Sequence, residues 1–554
     1  MSPDALETTY RTFQILLPEI LVVLTAVAMM TGGAFGRLPR KVWCLMAVGG
    51  LVAGLIALFF LRHTTTDPYT AVALNDEFSG YARLVLLLSG LLLLAMAHDQ
   101  VNDDRAAEFF GSFLLIIAGA MLVATANELV FLFVGLELIS IPTYLLLYLP
   151  RRDSVTQEAA TKYFFLSIFS SALLLFGLAY LYGLTGVSNL KALAYLMRAG
   201  GAILTDANVS LGMIAVLFVM AGLGFRVAAV PFHFYAPDVY QGAPTIVTAM
   251  LAWIPKAVGF LAMLRALTAV VSVSDELLTS RAILLTWLLA VATMTLGNTV
   301  ALMQDNLKRL LAYSSIAHAG YLLIGVTVAF AYVGNPNVLG PNTGIEAILI
   351  YLVAYALMTL GAFAVILELN SGDRTVETVD DMAGLGVTRP GLALGMTLLL
   401  FSLAGIPPLM GFWGKFFLFY AAWGAETPSG LPSFRLLAII GVLNAAIGAY
   451  YYLRIVMAMY LRSPQESASQ PRPGWPTVLA VGACSSLSLL LGLYLAPVQS
   501  ASRASAVASM RHEPPRPIAR ATPAEGMTTA AADVAEEVAR ADLLTPGGGP
   551  SPFP

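Results

Sequence analysis

The chain has 554 residues, 58% hydrophobic and 11% charged, where an ordinary globular domain carries about 25% charged residues. With a mean hydropathy of +0.79, water cannot be the solvent of most of its surface. A net charge of −3 gives no sign of nucleic-acid binding, and two cysteines, Cys44 and Cys484, cannot build a disulfide framework or a metal cluster. No G-x-x-x-x-G-K-[ST] loop, H-E-x-x-H pair or C-x-x-C occurs, which argues against ATP hydrolysis and zinc catalysis. Of five histidines only His233 and His318 lie in or beside apolar runs, so paired haem ligation is also disfavoured.

A bilayer asks about 20 apolar residues of a helix. On that measure the runs predict an all-α polytopic membrane protein with spans near 13–31, 42–61, 81–97, 108–125, 128–149, 158–182, 209–229, 243–269, 283–303, 309–332, 345–368, 391–421, 434–461 and 477–496, fourteen in all. The first ten residues carry Asp4 and Glu7 and no basic stretch, so no cleaved signal peptide is expected. Basic residues gather in the odd-numbered loops: Arg37, Arg40, Lys41, Arg105, Arg151, Arg152, Lys162, Lys308, Arg309, Arg374, Arg389, Arg462 and Arg472. The even-numbered loops hold Arg62, Arg83, Lys191, Arg198, Arg265, Arg281 and Arg435. Because basic loops stay in the cytoplasm, thirteen against seven predicts odd loops inside and both termini outside. From about residue 497 the composition turns to Ala, Pro, Ser and Arg, which predicts a disordered tail over 497–554, with a faint amphipathic pattern at 530–544.

Two spans are broken. Gly222 to Asp238 contains Pro231 and Pro237, and Leu403 to Lys415 contains Gly405, Pro407, Pro408, Gly411 and Gly414. Each proline removes an N–H and frees a carbonyl at membrane depth, where protein or water must supply a partner. Paired breaks point to a transport site in a repeat-built transporter. Falling in the seventh and twelfth spans, they suggest two copies of a five-helix unit, 108–269 and 283–461, in opposite orientations, preceded by three helices within 1–107 and followed by the last span at 477–496.

Charges inside the spans are few: Glu137 in the fifth, Arg226 in the seventh, Lys256 in the eighth and Lys415 in the twelfth. Inserting each costs about 2.5–3.5 kcal/mol at a helix centre, so each needs a reason. Glu19, Lys162 and Arg454 lie where snorkelling or packing pairs suffice. Pro142 frees the Leu138 carbonyl beside Glu137, and Pro255 frees that of Leu251 beside Lys256. Ser140 and Tyr144 share the Glu137 face, and Ser314, His318 and Tyr321 form a polar stripe in the tenth span. Such a stripe serves as a helix-packing seam or as a relay.

The strings Asn306 to Tyr321, Val230 to Pro244 and Gly411 to Phe416 resemble the antiporter-like membrane subunits of respiratory complex I. Asp238 to Pro244 and Glu137 to Tyr144 look most like the subunit N branch, and the likeness covers about residues 10–495. The resemblance implies a proton-translocating subunit with two inverted five-helix repeats and a central charged axis of Glu137, Arg226, Lys256, His318 and Lys415. It implies no cofactor in this chain, with NADH, flavin, iron–sulfur clusters and quinone held by partner subunits. It further implies neighbouring antiporter-like subunits as partners and the bacterial inner membrane as the location. The family usually has lysine where this chain has Arg226. A buried lysine can cycle through a neutral form, whereas arginine stays protonated. Arg226 is therefore expected to be a fixed charge that keeps Glu137 ionised, leaving proton exchange to Lys256; more protons moved per electron pair after Arg226→Lys would contradict this. A stand-alone cation/proton antiporter of the related Mrp type and a non-pumping membrane scaffold are the alternatives.

Overall fold

A computed structural model describes residues 3–510 apart from 37, 62–63, 150–152, 200–205, 272–275, 334–342, 371–375 and 465–473. In chain order its helices are α1 (Pro3–Ile15), α2 (Leu17–Phe35), α3 (Arg40–Phe60), α4 (Glu77–Ala97), α5 (Ala106–Thr125), α6 (Leu129–Tyr148) and α7 (Ser154–Thr185). Then come α8 (Leu190–Ala199), α9 (Asp206–Val227), α10 (Ala236–Gly242), α11 (Thr245–Val271), α12 (Glu276–Ala301), α13 (Leu307–Val333) and α14 (Gly344–Leu369). The last are α15 (Leu385–Thr388), α16 (Pro390–Ala404), α17 (Met410–Gly424), α18 (Phe434–Leu461), α19 (Trp475–Leu493) and α20 (Ala496–Met510). No named strand occurs among the described residues; three isolated bridges, such as Glu128 with Asn189, pin connecting loops. Lipid offers backbone groups no hydrogen bonds, and helices satisfy them within the segment.

Among the described residues, thirteen helices are long and apolar enough to cross a membrane. The remaining predicted span, 391–421, is divided into α16 and α17 by Gly405 to Leu409. The starts of α4, α7 and α14 are capped by Asp76, Asp153 and Thr343, whose side chains accept from the N–H of Ser79, Thr156 and Glu346. α11 is wholly enclosed, touching α4, α5, α6, α8, α9, α13 and α14, and α13 and α14 are nearly so. Nearly every side chain on these three helices therefore meets protein.

Both predicted breaks are real. α9 stops at Val227, Ala228 turns with φ 57°, and the chain resumes helix only at Ala236. α16 stops at Ala404, Gly405 turns with φ 91°, and α17 begins at Met410.

Three expectations need correction. Residues 496–510 are not tail: they form α20, with Ser502, Ser505 and Ala506 buried and Ser505 Oγ donating to the Glu77 carbonyl. Small residues on one face allow α20 to lie close against α4. The remainder of the expected tail, including 530–544, lies outside the described residues. Arg83 and Arg265, counted as loop charges, are enclosed within α4 and α11. Arg83 meets the buried Glu19 at 2.9 Å, and Arg265 grips both oxygens of Asp76 at 2.7 and 2.8 Å. An arginine fork matched to a carboxylate can be enclosed where a lone charge cannot.

Candidate functional site

Arg226 sits in the last turn of α9, where free carbonyls favour a cation. Its guanidinium donates to Glu137 Oε1 at 3.0 Å and to Ser140 Oγ at 2.8 Å, across from α9 to α6. Glu137 also accepts from Ser171 of α7 at 2.5 Å. Arg226 is 4% exposed and the Glu137 side chain 26%. Ser140 joins the pair as its position one helical turn from Glu137 suggests. Tyr144 packs instead against the rings of Tyr163 and Phe164. The break after Val227 lets α9 end at this depth, so the pair is a product of the interruption.

Lys256, 1% exposed, donates to the Leu251 carbonyl at 3.3 Å, the group that Pro255 frees. Its stronger partner is the Tyr240 hydroxyl at 2.6 Å, supplied by α10 beyond the first break. Tyr240 in turn lies 3.4 Å from Ser315 Oγ, which accepts from Tyr355 at 2.7 Å. Lys256 thus opens a chain of hydroxyls running from α11 through α10 and α13 to α14.

His318 of α13 begins a second chain. Its Nδ1 meets the Tyr351 hydroxyl and its Nε2 the Tyr452 hydroxyl at 3.0 Å, and Tyr452 also contacts Ser314. The imidazole packs edge-on to Tyr321 at 5.7 Å, and the Lys415 ammonium lies 5.1 Å over that ring. Lys415, 5% exposed, donates to the carbonyls of Leu403 and Ala404 at 2.8 and 3.0 Å. These end α16 at the second break, where helical carbonyls lack intrahelical partners. The Tyr355 and His318 rings are 5.2 Å apart, so the two chains abut.

The structure therefore brings together four of the five sites named from sequence in two halves: Glu137 with Arg226, and His318 with Lys415 through Tyr321. Lys256 stands between them. No hydrogen bond among the described residues joins the Glu137–Arg226 pair to Lys256, or the Lys256 chain to the His318 chain; Gly259, less than a turn beyond Lys256, brings α11 against Arg226 and Val227. What sequence reasoning missed are the connecting hydroxyls of Tyr240, Ser315, Tyr351, Tyr355 and Tyr452. For Tyr351, Tyr355 and Tyr452 the signal was tyrosine within apolar spans, away from the interfaces where it ordinarily gathers. Lys162, expected to snorkel or to pair for packing, pairs with Glu158 and Asp238 at 2.7 and 2.6 Å. Among the described residues no group of His, Cys, Asp and Glu could hold a metal ion.

A polytopic helical protein with two broken helices and a buried line of ionisable groups is the class these features define. The membrane domain described as "NADH:quinone oxidoreductase/Mrp antiporter, TM" matches residues 126–441. NADH-quinone oxidoreductase subunit N of Paramagnetospirillum magneticum is 36% identical over 494 residues, 88% of this chain and 96% of that protein. A chain of respiratory complex I from Thermus thermophilus superposes with TM-score 0.70 at 32% identity, covering 88% of this chain and 99% of the other. A chain of the Mrp complex from Dietzia, with TM-score 0.75 at 21% identity over 90% of this chain and 97% of its own, shares the fold. The chain belongs to the NADH:quinone oxidoreductase/Mrp antiporter membrane family and, within it, to the subunit N group.

Proposed function

We propose that this chain is a proton-translocating membrane subunit of an NADH:quinone oxidoreductase, moving protons while electron transfer takes place in partner subunits. The observation that carries the reading is Lys256: an enclosed ammonium in contact with the hydroxyl that begins a hydrogen-bonding chain toward the second broken helix. Lys256 takes a proton from the cytoplasmic side and passes it through Tyr240, Ser315 and Tyr355 toward His318, with water closing the step between the two chains. Lys415, held on the open carbonyls of α16, receives it and releases it on the opposite side. The Glu137–Arg226 pair sets the field: a neighbouring subunit that draws on Glu137 changes the balance of charge around α11. Moving one charge against roughly 150 mV costs about 3.5 kcal/mol, within reach of one ion pair's rearrangement at low dielectric.

NADH, flavin, iron–sulfur clusters and quinone belong in this reading to the partner subunits, and neighbouring antiporter-like subunits continue the charged axis. The helices 108–269 and 283–461 act as two inverted repeats around the breaks. The location is the bacterial inner membrane with both termini outside, following the basic residues that remain once Arg83 and Arg265 are set apart as helix-buried.

Lys256→Ala in the assembled complex tests the reading. Proton uptake into inverted membrane vesicles, measured beside NADH oxidation, is expected to fall severely; unimpaired pumping would remove Lys256 from the central role. The shared fold of the Mrp chain supports an antiporter as the second reading. Purification in mild detergent separates the two, since the oxidoreductase subunit brings flavin and iron–sulfur partners with it and the antiporter does not.

A further inference from the structure

α10 has seven residues and follows an eight-residue stretch without regular structure. A helix this short cannot hold itself, and side chains of its neighbours place it. Thr156 of α7 donates to the Gly242 carbonyl at 2.9 Å, Lys308 of α13 to the Ala243 carbonyl at 2.8 Å, and Thr248 of α11 to the Tyr240 carbonyl at 3.2 Å. The ion pairs of α10 converge on one residue. Asp238 takes Lys162 of α7 on one carboxylate oxygen at 2.6 Å and Arg309 of α13 on the other, also at 2.6 Å, and Arg309 reaches on to Gln241 at 3.0 Å. Glu158 shares Lys162 at 2.7 Å. Two residues along the same short helix is Tyr240, the hydroxyl that meets Lys256.

We propose that Asp238 is a positioning residue for proton transfer at Lys256: its double ion pair with Lys162 and Arg309 fixes α10 between α7 and α13 and so keeps the Tyr240 hydroxyl on Lys256. This rests on the reading of Lys256 as a proton carrier. Partly exposed ion pairs add at most about 1 kcal/mol each, and α11, α13 and α14 are enclosed by apolar packing without them. The geometry gives the triad a different task. It ties the first half of the chain, through α7, to the second, through α13, at the one short element whose displacement parts Tyr240 from Lys256. A carboxylate with a cation on each of its two oxygens is held in a more defined position than one with a single pair.

The experiment uses the assembled complex in inverted vesicles, with Asp238→Asn, Asp238→Glu and Lys256→Ala compared for complex content, NADH oxidation and proton uptake across pH. Asp238→Asn is expected to assemble, to lose proton uptake by about tenfold per electron pair and to shift its pH profile, while Asp238→Glu restores both. The structure of the Asn variant is expected to show Tyr240 out of hydrogen-bond reach of Lys256. Wild-type uptake and pH profile in Asp238→Asn would overturn the proposal. Should that variant fail to assemble, Lys162→Gln/Arg309→Gln, which removes the pairs from the other side, is measured with the same expectation and the same overturning result. If Lys256→Ala pumps normally, the proton-carrier reading itself has failed. If Lys256→Ala is inactive and the Asp238 variants are normal, only the latch has.

Discussion

Tyr240 shows how a single hydroxyl changes what a buried lysine can do. An ammonium with only backbone carbonyls as partners needs water to carry its proton away, because a carbonyl accepts without donating. A tyrosine hydroxyl does both. Lys256 has one partner of each kind, the Leu251 carbonyl and the Tyr240 hydroxyl, while Lys415 meets two carbonyls and a ring face. Tyr240→Phe keeps the ring that packs against Phe363 and removes the hydroxyl. A hydrogen bond to a charged group is worth about 1.5–3 kcal/mol, so proton uptake is expected to slow by about tenfold to a hundredfold with assembly unaffected, as read from vesicle acidification beside complex content. Wild-type uptake in this variant would show that protons leave Lys256 by another route.

At the level of elements, the second break works because its two halves touch. Gly411 donates its N–H to Ser402 Oγ at 3.0 Å, so the start of α17 is capped from inside α16. A Cβ on Gly411 would meet the Ser402 carbonyl oxygen at 1.9 Å, a contact that backbone on both sides must relieve. Gly411→Ala is therefore expected to cost about 1–3 kcal/mol or more. It should also draw Lys415 off the Leu403 and Ala404 carbonyls. Thermal unfolding in detergent together with proton uptake checks this: an Ala variant as stable and as active as wild type would mean that α16 and α17 move apart freely. Gly405, at φ 91°, carries the turn that an L side chain resists.

Across the whole molecule, a second group of enclosed or partly enclosed charges lies away from the broken helices and holds the N-terminal helices to the centre. Asp76, just before α4, joins Arg265 of α11, and Glu19 of α2 joins Arg83 of α4. Burial alone would raise the Asp76 pKa, but the Arg265 guanidinium beside it and the Ser79 N–H bring it down to about 2. Because the folded value lies below the ordinary carboxylate value of about 3.9, the stabilisation is fully present above pH 4 and is lost as pH falls through 2. Asp76→Asn should lower the unfolding temperature at neutral pH, and the gap from wild type should close as pH falls from 4 toward 2. A gap that is constant over that range would assign the loss to packing and not to charge.

Much of this was legible in the chain itself. Apolar runs of bilayer length specify transmembrane helices because lipid leaves the backbone no other partner, and Pro231, Pro407 and Pro408 mark the breaks because proline cannot continue the ladder. Lys256 and Lys415 stood out because a charge in an apolar run is costly, and Pro255 beside Lys256 named the very carbonyl it takes. Sequence by itself thus determined the class of protein, the breaks and the charges that need partners. Which partner each charge takes was decided by tertiary structure alone: Tyr240 reaches Lys256 from sixteen residues away, and Tyr452 reaches His318 from the other side of the second break. Helical periodicity relates residues a turn or two apart, and contacts between separate helices depend on how those helices pack. The same limit hid the partners of Arg83 and Arg265, the carboxylates of Glu19 and Asp76 that other parts of the chain bring to them.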